Sequence, residues 1–284
     1  MCSIRDVLSR DGASLKAALA LTADEARIEV QMLLQHVLKV SRAYLLAHPE
    51  QVLDITQVAA YGELLQRRLQ GEPIAHILGE REFFGLNFKV ASATLIPRPD
   101  TELLVELALR RIPQCEAARI LDLGTGSGAI ALSIAHARPD AEVTAVDVSQ
   151  DALEVAWENV QRLNTGNVRL LCSDWFSALV SERFDLIVAN PPYIAAGDAH
   201  LMQGDLRFEP LTALASGADG LDDIRRIISE APKYLTANGW LLLEHGYDQA
   251  GVVRTLLQEN GFDAVFSEKD IAGIERVSGG QIRL

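Results

Sequence analysis

After Ala118 the chain alternates short apolar, β-branched runs with longer runs of helical periodicity. Because parallel strands need long crossover connections, this alternation is typical of a parallel sheet joined by helices. The predicted strands, which include two at the end of the chain, cover residues 119–123, 142–147, 168–172, 184–190, 239–245, 264–268 and 274–278. The predicted helices cover residues 128–137, 150–164, 222–235 and 249–260. The sequence therefore predicts an α/β fold with a seven-stranded sheet.

The region before this alternation has helical patterns and no strand pattern. Thr22 and Glu25 have capping-box spacing, and the following apolar residues, Val30, Leu33, Leu34, Val37 and Leu38, recur on one helical face. A second amphipathic run covers residues 58–69. Aromatic and β-branched residues around Gly85 then predict a short hairpin or connector within residues 82–96. We therefore expect a helical domain over residues 1–80, a β-hairpin linker over 81–97 and a catalytic domain over 98–284.

Composition narrows the class of protein. Nearly half of the 284 residues are apolar, which is typical of a globular protein, and the longest apolar runs have the length of strands. The first residues lack the basic and apolar pattern of a secretory signal, so we expect a cytoplasmic protein with no membrane partner. Cys2, Cys115 and Cys172 are far apart and odd in number, which favours free thiols. The six histidines have no metal-ligand spacing, so no metal site is predicted.

A glycine-rich loop follows the first predicted strand of the sheet. Gly124, Thr125, Gly126, Ser127 and Gly128 stand where the strand turns into a helix. In such sheets ligands bind beyond the carboxyl ends of the strands, and glycines allow a close approach of the backbone to the ligand. The same spacing satisfies a relaxed dinucleotide fingerprint, so a nicotinamide-dependent oxidoreductase remains an alternative at this point.

Two further strand ends carry residues suited to a nucleoside. Asp147 ends the second strand of the sheet, where its carboxylate can accept hydrogen bonds from ribose hydroxyls, or can cap the helix that follows. Asp174 and Trp175 follow the third strand. We expect Asp174 to accept a hydrogen bond from an adenine amine and the Trp175 ring to stack on the base, although a core tryptophan is the alternative.

The fourth strand ends in Asn190, Pro191, Pro192 and Tyr193. Two prolines stop the strand and stiffen the backbone, and the Asn190 side chain offers a carbonyl acceptor. The Asn190 side-chain oxygen and the Pro191 carbonyl are expected to accept both N–H bonds of a planar NH2 group, with Tyr193 packed against its plane. Such acceptors favour the transition state when positive charge develops on an attacking nitrogen. An amide and the adenine N6 amine both satisfy this description.

Several longer segments resemble those of the PrmC/HemK family, the peptide-chain release factor glutamine methyltransferases. The segments that carry the resemblance are residues 71–76, 93–102, 174–176, 190–194, 207–214 and 242–246, so that it extends over nearly the whole chain. The resemblance implies a class I S-adenosylmethionine-dependent methyltransferase fold, which has a Rossmann-like seven-stranded sheet, with a small N-terminal helical domain and a short β-hairpin connector.

The resemblance also implies an activity, a cofactor and a partner. The reaction would be N5-methylation of the glutamine in the Gly-Gly-Gln loop of class-one release factors, with S-adenosylmethionine converted to S-adenosylhomocysteine. Residues 124–128, Asp147, Asp174, Trp175 and Asn190 would bind the cofactor, and residues 190–193 the acceptor glutamine. Asn190, Pro191 and Tyr193 would be catalytic. The N-terminal helices would recognise the folded release factor, and a monomer is expected.

Charge separates this interpretation from its nearest rival, an adenine-N6 DNA methyltransferase. The net charge is −13, and residues 81–284 carry 18 basic and 29 acidic side chains. Because nucleic-acid binding depends on clustered Lys and Arg, direct nucleic-acid contact is not expected. A non-catalytic release-factor-binding module is a further alternative.

Two other features are left open or given no role. Arg98 is either a site residue or a surface ion-pair residue. The Gly279-Gly280-Gln281 tripeptide has the same sequence as the substrate motif, which is interpreted as a coincidence within the last strand.

Overall fold

The computed structural model describes residues 2–112 and 117–283, which form two compact units. The first, here called the helical unit, contains Met1–Gly79 together with Met202–Phe208. The second, the sheet unit, contains Glu80–Leu201 and Glu209–Leu284. Cys115 lies outside the described residues, whereas Cys2 and Cys172 are free thiols.

The described residues of the helical unit form five α-helices. They are α1 Ile4–Leu19, α2 Ala23–Leu38, α3 Arg42–Ala47, α4 Ile55–Leu69 and α5 Ile74–Leu78. Ser3, Thr22 and Asp54 begin α1, α2 and α4 with reciprocal capping boxes, so the first backbone N–H groups of these helices have acceptors. Buried aliphatic residues such as Val30, Leu33 and Leu34 form the core of the unit. The helical pattern predicted for this region is thus present.

The buried Arg68 holds the end of α4 to the short chain segment Met202–Phe208. Its guanidinium forms a bidentate ion pair with Glu29, at 2.8 and 2.9 Å, and a 3.2 Å ion pair with Asp205. It also donates to the carbonyls of Gly71 and Glu72. Every donor of a buried guanidinium needs an acceptor, so these four partners together offset the cost of burying its charge.

The sheet unit contains all of the described strands. They are β1 Glu80–Phe83, β2 Leu86–Lys89, β3 Arg119–Leu123, β4 Glu142–Asp147, β5 Val168–Cys172, β6 Phe184–Ala189, β7 Leu235–Glu244, β8 Phe262–Lys269 and β9 Glu275–Ile282. Its helices are α6 Glu102–Arg111, α7 Ala129–Ala137, α8 Gln150–Leu163, α9 Asp222–Glu230 and α10 Ala250–Glu259. Strands β1 and β2 form an antiparallel hairpin, and the other seven strands form one sheet in the order β5-β4-β3-β6-β7-β9-β8.

The seven-stranded sheet is parallel from β5 to β7, and β9 is antiparallel to both β7 and β8. Apolar side chains alternate between its two faces: Ile120 packs on one face with α6 and α7, and Leu121 packs on the other with α9 and α10. The chain moves outward from β3 to β4 and β5 and then returns to the opposite side of β3 with β6. Ligands of such sheets bind at this reversal, beyond the carboxyl ends of the strands.

The predicted seven-stranded sheet is confirmed, with corrections at its later elements. The helix predicted over 222–235 ends at Glu230 and continues as a 3-10 turn, because Pro232 has no N–H for a longer helix. Strand β7 begins four residues earlier than predicted. Its Asn238-Gly239 pair, a common turn signal, instead occupies an irregularity in the pairing with β6.

The last strand also differs from its prediction, since β9 begins at Glu275 and continues to Ile282 instead of ending at Ser278. Gly279 and Gly280 are tolerated within it because neighbouring atoms occupy the space of a side chain. A Cβ at Gly279 would lie 2.5 Å from Leu242 Cδ2. Within the ranges that the structure describes, no helix is long and apolar enough to cross a bilayer.

Candidate active site

A cavity of about 450 Å3 opens at the carboxyl ends of β3, β4, β5 and β6. Its walls include the β3–α7 loop, the segment Ser92–Arg98, the start of α9 and the stretch around Thr212. The predicted site residues that line it are Gly124, Thr125, Gly126, Ser127, Asp147, Asp174, Trp175, Asn190 and Pro192. Gly128, Pro191 and Tyr193 do not line it. The structure thus brings most of the predicted residues together at one edge of the sheet.

The glycine-rich loop has a backbone that other residues would strain. Gly124, Gly126 and Gly128 have φ values of +70°, +56° and +84°, in the left-handed region. A Cβ at Gly124 would lie 3.3 Å from the ring of Trp175. The loop therefore depends on glycine at position 124 for both its conformation and the close approach of the indole.

Asp122, for which the sequence predicted no role, restrains this loop. Its Oδ2 accepts hydrogen bonds from the Thr125 hydroxyl, at 2.6 Å, and from the Ala131 N–H, at 3.2 Å. Complete burial raises the pKa of the carboxyl to about 7, and the nearby Asp147 charge acts in the same direction. Asp122 ties the end of β3 to the first turn of α7, so the loop between them has two fixed ends.

Asp147 at the end of β4 faces the loop. Its Oδ2 accepts from the Gly126 N–H at 2.8 Å, and its Oδ1 accepts from the Ser149 N–H at 2.9 Å. The Ser149 side chain itself caps α8. A carboxylate oxygen has more than one lone pair, so each Asp147 oxygen retains capacity for a ligand hydroxyl.

Trp175 and Asp174 form the wall next to the loop. Trp175 has a φ of +49°, and its Nε1 donates to Asp223 Oδ1 at 3.2 Å. The Asp223 carboxylate also accepts from the Ser216 hydroxyl at 2.6 Å. Asp174 is ion-paired with Arg226, at 2.8 and 3.0 Å. Asp223 therefore fixes the indole, and Asp174 presents a carboxylate already paired with a cation.

Asn190 lies at the end of β6 with its side chain on the cavity. Its Nδ2 donates to the Thr101 hydroxyl at 3.2 Å, and in the described parts of the chain no donor engages its Oδ1. The carbonyl side of the carboxamide is thus available to a ligand N–H. Pro191 is buried behind it, and Pro192 lines the cavity.

Tyr193 turns away from this cavity. Its hydroxyl donates to Glu244 Oε1 at 3.3 Å, and its carbonyl accepts from Gln249 Nε2 at 3.0 Å. The close packing of Gly220, where a Cβ would lie 2.2 Å from the Tyr193 carbonyl oxygen, also restrains this turn. Burial raises the pKa of the Tyr193 hydroxyl, so it acts as a hydrogen-bond donor at neutral pH. The predicted stacking of this ring on the acceptor group stays a prediction.

Arg98 lines the cavity and also forms an ion pair, so both of its predicted roles are present. Its guanidinium contacts Glu209, whose side chain is completely buried. Glu209 Oε2 also accepts from the Ile96 N–H at 3.3 Å. Glu209 therefore attaches the connector to the cavity wall.

The Gly279-Gly280-Gln281 tripeptide lies within β9. The Gln281 side chain is also fixed, because its Nε2 donates to the Asn238 carbonyl at 2.9 Å.

Four further residues support the site, although no role was predicted for them from the sequence: Asp122, Thr101, Asp223 and Glu244. Asp122 lies within an apolar strand, and a polar residue predicted at a buried strand position was its available signal. Glu244 interrupts the end of the apolar run of β7 in the same way. Thr101 and Asp223 had no such signal, because their partners are distant in sequence.

The comparisons with known proteins agree with this geometry. Residues 13–79 match the family model described as the PrmC N-terminal domain, and residues 99–205 match that of the methyltransferase small domain. The release factor glutamine methyltransferase of Bordetella pertussis is 53% identical over 257 residues, which are 90% of this chain and 95% of the relative. The enzyme with this name from Salmonella typhimurium is 50% identical, over 91% of this chain and 93% of its own.

Among solved structures, a methyltransferase from Pyrococcus furiosus superposes with a TM-score of 0.55 at 22% identity. The match covers 78% of this chain and all of that chain. At this identity the likeness shows the fold alone, which is that of the class I methyltransferases.

Proposed function

Because the chain belongs to the release factor glutamine methyltransferase family, we propose that its cavity is the active site for methylation of a release-factor glutamine. The enzyme transfers a methyl group from S-adenosylmethionine to N5 of the glutamine side chain in the Gly-Gly-Gln motif of class-one release factors. The observation that carries the proposal is the Asn190 carboxamide, which lines the cavity next to the glycine-rich loop and whose oxygen has no donor among the described residues.

The cavity fits S-adenosylmethionine by its donor set. The residues proposed to hold the cofactor are residues 124–127, Asp147, Asp174, Trp175 and Asn190, with Gly128 completing the loop behind them. Asp147 keeps lone pairs for ribose hydroxyls, and Trp175 offers an indole fixed by Asp223. When bound, the cofactor supplies an electrophilic methyl group on a sulfonium and remains as S-adenosylhomocysteine.

The residues of the chain hold the acceptor nitrogen and stabilise its developing charge. An amide nitrogen is a weak nucleophile because its lone pair is delocalised into the carbonyl. If Asn190 Oδ1 and the Pro191 carbonyl accept its two N–H bonds, both interactions strengthen as the nitrogen becomes positive. Asn190 and Pro191 are therefore proposed as catalytic residues, with Pro192 completing the binding site. Tyr193, whose ring turns away from the cavity, is proposed with them as the residue that holds this turn in place through Glu244. The rigid Pro-Pro backbone keeps the acceptors in place without reorganisation.

We assign release-factor recognition to the helical unit, for which the match of residues 13–79 to the PrmC N-terminal domain is the support. The net charge of −13 supports a protein partner over a nucleic acid. We further propose that the enzyme acts in the cytoplasm as a monomer, which light scattering of the purified protein would test. The proposed division of the chain is 1–80 for recognition, 81–97 for the hairpin linker and 98–284 for catalysis.

The decisive experiment incubates the protein with labelled S-adenosylmethionine and a purified class-one release factor, and then maps the methyl group by peptide mass spectrometry. We expect labelling of the Gly-Gly-Gln glutamine alone, and none when that glutamine is replaced by alanine. Labelling that persists in the substituted release factor, or that appears on adenine in duplex DNA, would refute the proposal. Asn190→Ala should abolish labelling while leaving release-factor binding intact, which distinguishes an enzyme from a binding module.

A further inference from the structure

A buried asparagine of α8 contacts two segments that shape the cavity. Asn159, which is completely buried, accepts a hydrogen bond from the Lys89 N–H at 2.7 Å and donates one to the Lys89 carbonyl at 2.9 Å. Its Nδ2 also donates to the Ser127 carbonyl at 2.8 Å. All three partners are backbone groups. Because a backbone N–H can only donate and a carbonyl can only accept, the orientation of the carboxamide is determined.

The Ser127 carbonyl depends on Asn159 for its hydrogen-bond donor. In a regular helix the Ala131 N–H, four residues further on, would donate to this carbonyl, but it donates to Asp122 Oδ2 at 3.2 Å instead. Within the described residues no backbone N–H bonds to the Ser127 carbonyl. Ser127 is buried and lines the cavity. Because a buried carbonyl without a donor is costly, the Asn159 amide fixes the direction of this carbonyl.

The end of β2 is held to α8 mainly by the same side chain. Strands β1 and β2 form a two-stranded hairpin, which is only marginally stable unless it packs against other elements. Two exposed ion pairs, one of them between Lys89 and Glu158, also link the hairpin to α8, but ion pairs at the surface contribute little. Asn159 provides the buried hydrogen bonds. From β2 the chain continues into the segment Ser92–Arg98, which forms a wall of the cavity.

We propose that Asn159 is a positioning residue for cofactor binding. Its carboxamide holds the Ser127 carbonyl and the Lys89 backbone, so that the glycine-rich loop and the segment Ser92–Arg98 keep the placement that S-adenosylmethionine requires. Asn159 does not line the cavity and acts through these backbone groups. The inference rests on the proposed function, because it takes the glycine-rich loop to be part of the S-adenosylmethionine site.

Asn159→Asp tests this arrangement with almost no change in side-chain size. The aspartate keeps an acceptor for the Lys89 N–H, but its second carboxylate oxygen replaces the donor that faces the Lys89 and Ser127 carbonyls. A buried carboxylate oxygen is repelled by two carbonyl oxygens, so the loop and the end of β2 should move away from α8. We expect N159D to bind S-adenosylmethionine about tenfold more weakly or worse, as measured by isothermal titration calorimetry.

Asn167→Asp is the matched control. Asn167 Nδ2 also donates to backbone carbonyls, those of Ala135, Arg138 and Ala141, at 3.3, 3.1 and 3.0 Å. Asn167 directly precedes β5, at the amino-terminal end of that strand, whereas the cavity opens at the carboxyl ends. Both substitutions should lower the melting temperature. The affinity of N167D for S-adenosylmethionine should stay within about twofold of wild type, because its site is separate from the cavity.

Two further measurements separate positioning from a general loss of stability. In methylation assays, N159D should have a raised KM for S-adenosylmethionine, while kcat and KM for the release factor change by less than about threefold. Amide hydrogen exchange, followed by mass spectrometry, should be faster in peptides covering residues 90–98 and 124–128 of N159D than in the same peptides of N167D.

An affinity of N159D for S-adenosylmethionine equal to that of wild type would overturn the inference and leave the proposed function intact, as would equal weakening in N167D. If the wild type binds S-adenosylmethionine but does not methylate the release factor, the proposed function fails and the binding data still decide the inference. If the wild type does not bind S-adenosylmethionine, both fail. Should N159D not fold, Asn159→Ala, which removes the same hydrogen bonds without adding a charge, replaces it in each comparison.

Discussion

Single residues at the end of β3 and in the β3–α7 loop are tightly constrained by their neighbours. Gly124 must adopt a positive φ and must leave room for the ring of Trp175. Asp122 must accept two hydrogen bonds while fully enclosed. In both cases the neighbouring structure has no freedom to compensate, so the loop should respond strongly to small chemical changes.

Gly124→Ala tests the two constraints on Gly124, its positive φ and its packing against Trp175. The methyl group meets the indole at 3.3 Å and the backbone leaves its preferred region, which together should cost about 1–2 kcal/mol of stability. We expect at least a tenfold weaker affinity for S-adenosylmethionine, measured by calorimetry. Gly166→Ala is the control, because a Cβ there meets nothing within 4 Å. Unchanged affinity in Gly124→Ala would contradict the assigned role of this loop.

Asp122→Asn tests the role of the buried Asp122 carboxyl through the pH dependence of protein stability. The pKa of Asp122 is raised to about 7, so the folded protein binds a proton that the unfolded chain releases near pH 4. Stability from this group is therefore present at low pH and is lost as the pH rises toward 7. The asparagine variant lacks this loss, so its stability relative to wild type should improve between pH 5 and 8, by on the order of 2 kcal/mol. Denaturant unfolding at the two pH values measures it, and an unchanged difference would contradict the buried-carboxyl explanation.

At the scale of elements, the antiparallel pair β7–β9 is constrained by glycines. Gly279 lies opposite Leu242, and its absent side chain is replaced by the Leu242 methyl group and the Leu241 carbonyl oxygen, at 2.5 and 2.7 Å from an added Cβ. One of these neighbours is backbone, which cannot move without breaking the ladder. The two adjacent glycines of β9 thus permit close strand packing.

Gly279→Ala should consequently destabilise the sheet unit by about 2–3 kcal/mol, as expected for overpacking of a fixed core. Thermal unfolding of the purified variant measures the effect. Gly251→Ala in α10 provides the control, since a Cβ there meets nothing within 4 Å and alanine favours a helix. Equal melting temperatures for Gly279→Ala and the wild type would show that the strands can separate to admit the methyl group.

Strand existence was largely predictable because apolar runs and turn residues alternate clearly from Ala118 onward. The bounds of β3, β4 and β5 agree with their predictions. The start of β7 was not predictable, since Asn238-Gly239 indicates a turn unless the pairing with β6 is known. For the site, motifs identified the residues that face the cavity. The supporting residues Thr101 and Asp223 were not predictable, because their hydrogen bonds span 89 and 48 positions in the sequence.

At the scale of the whole molecule, the chain passes from the sheet unit to the helical unit and back. The chain leaves the sheet unit after Leu201, contributes Met202–Phe208 to the helical unit, and resumes the sheet unit at Glu209. Within the helical unit, Arg68 is ion-paired with Asp205, and Arg207 donates to the Gln70 carbonyl at 3.2 Å. Gly71 leaves the space that the Arg207 guanidinium occupies.

Asp205→Asn should weaken the attachment of this segment. Removing one charge from the Arg68 cluster leaves the Glu29 ion pair intact, so the helices should stay folded while the segment opens more often. We expect trypsin to cut after Arg207 several-fold faster than in wild type, as followed by mass spectrometry. Asp198→Asn, which removes an exposed contact with His200, is the control. Equal cleavage rates in all three proteins would show that Asp205 does not secure the segment.

This path of the chain limits how the helical unit can be exchanged between related proteins. In a fusion protein whose residues 1–79 come from a relative, these foreign residues would have to pack against the original Met202–Phe208 segment. That segment is encoded more than 120 codons downstream. Functional exchange of the helical unit therefore requires two coordinated replacements. A lineage that acquired this arrangement would tend to inherit both segments together, and alterations at Arg68 would be tolerated best alongside matching alterations at Asp205.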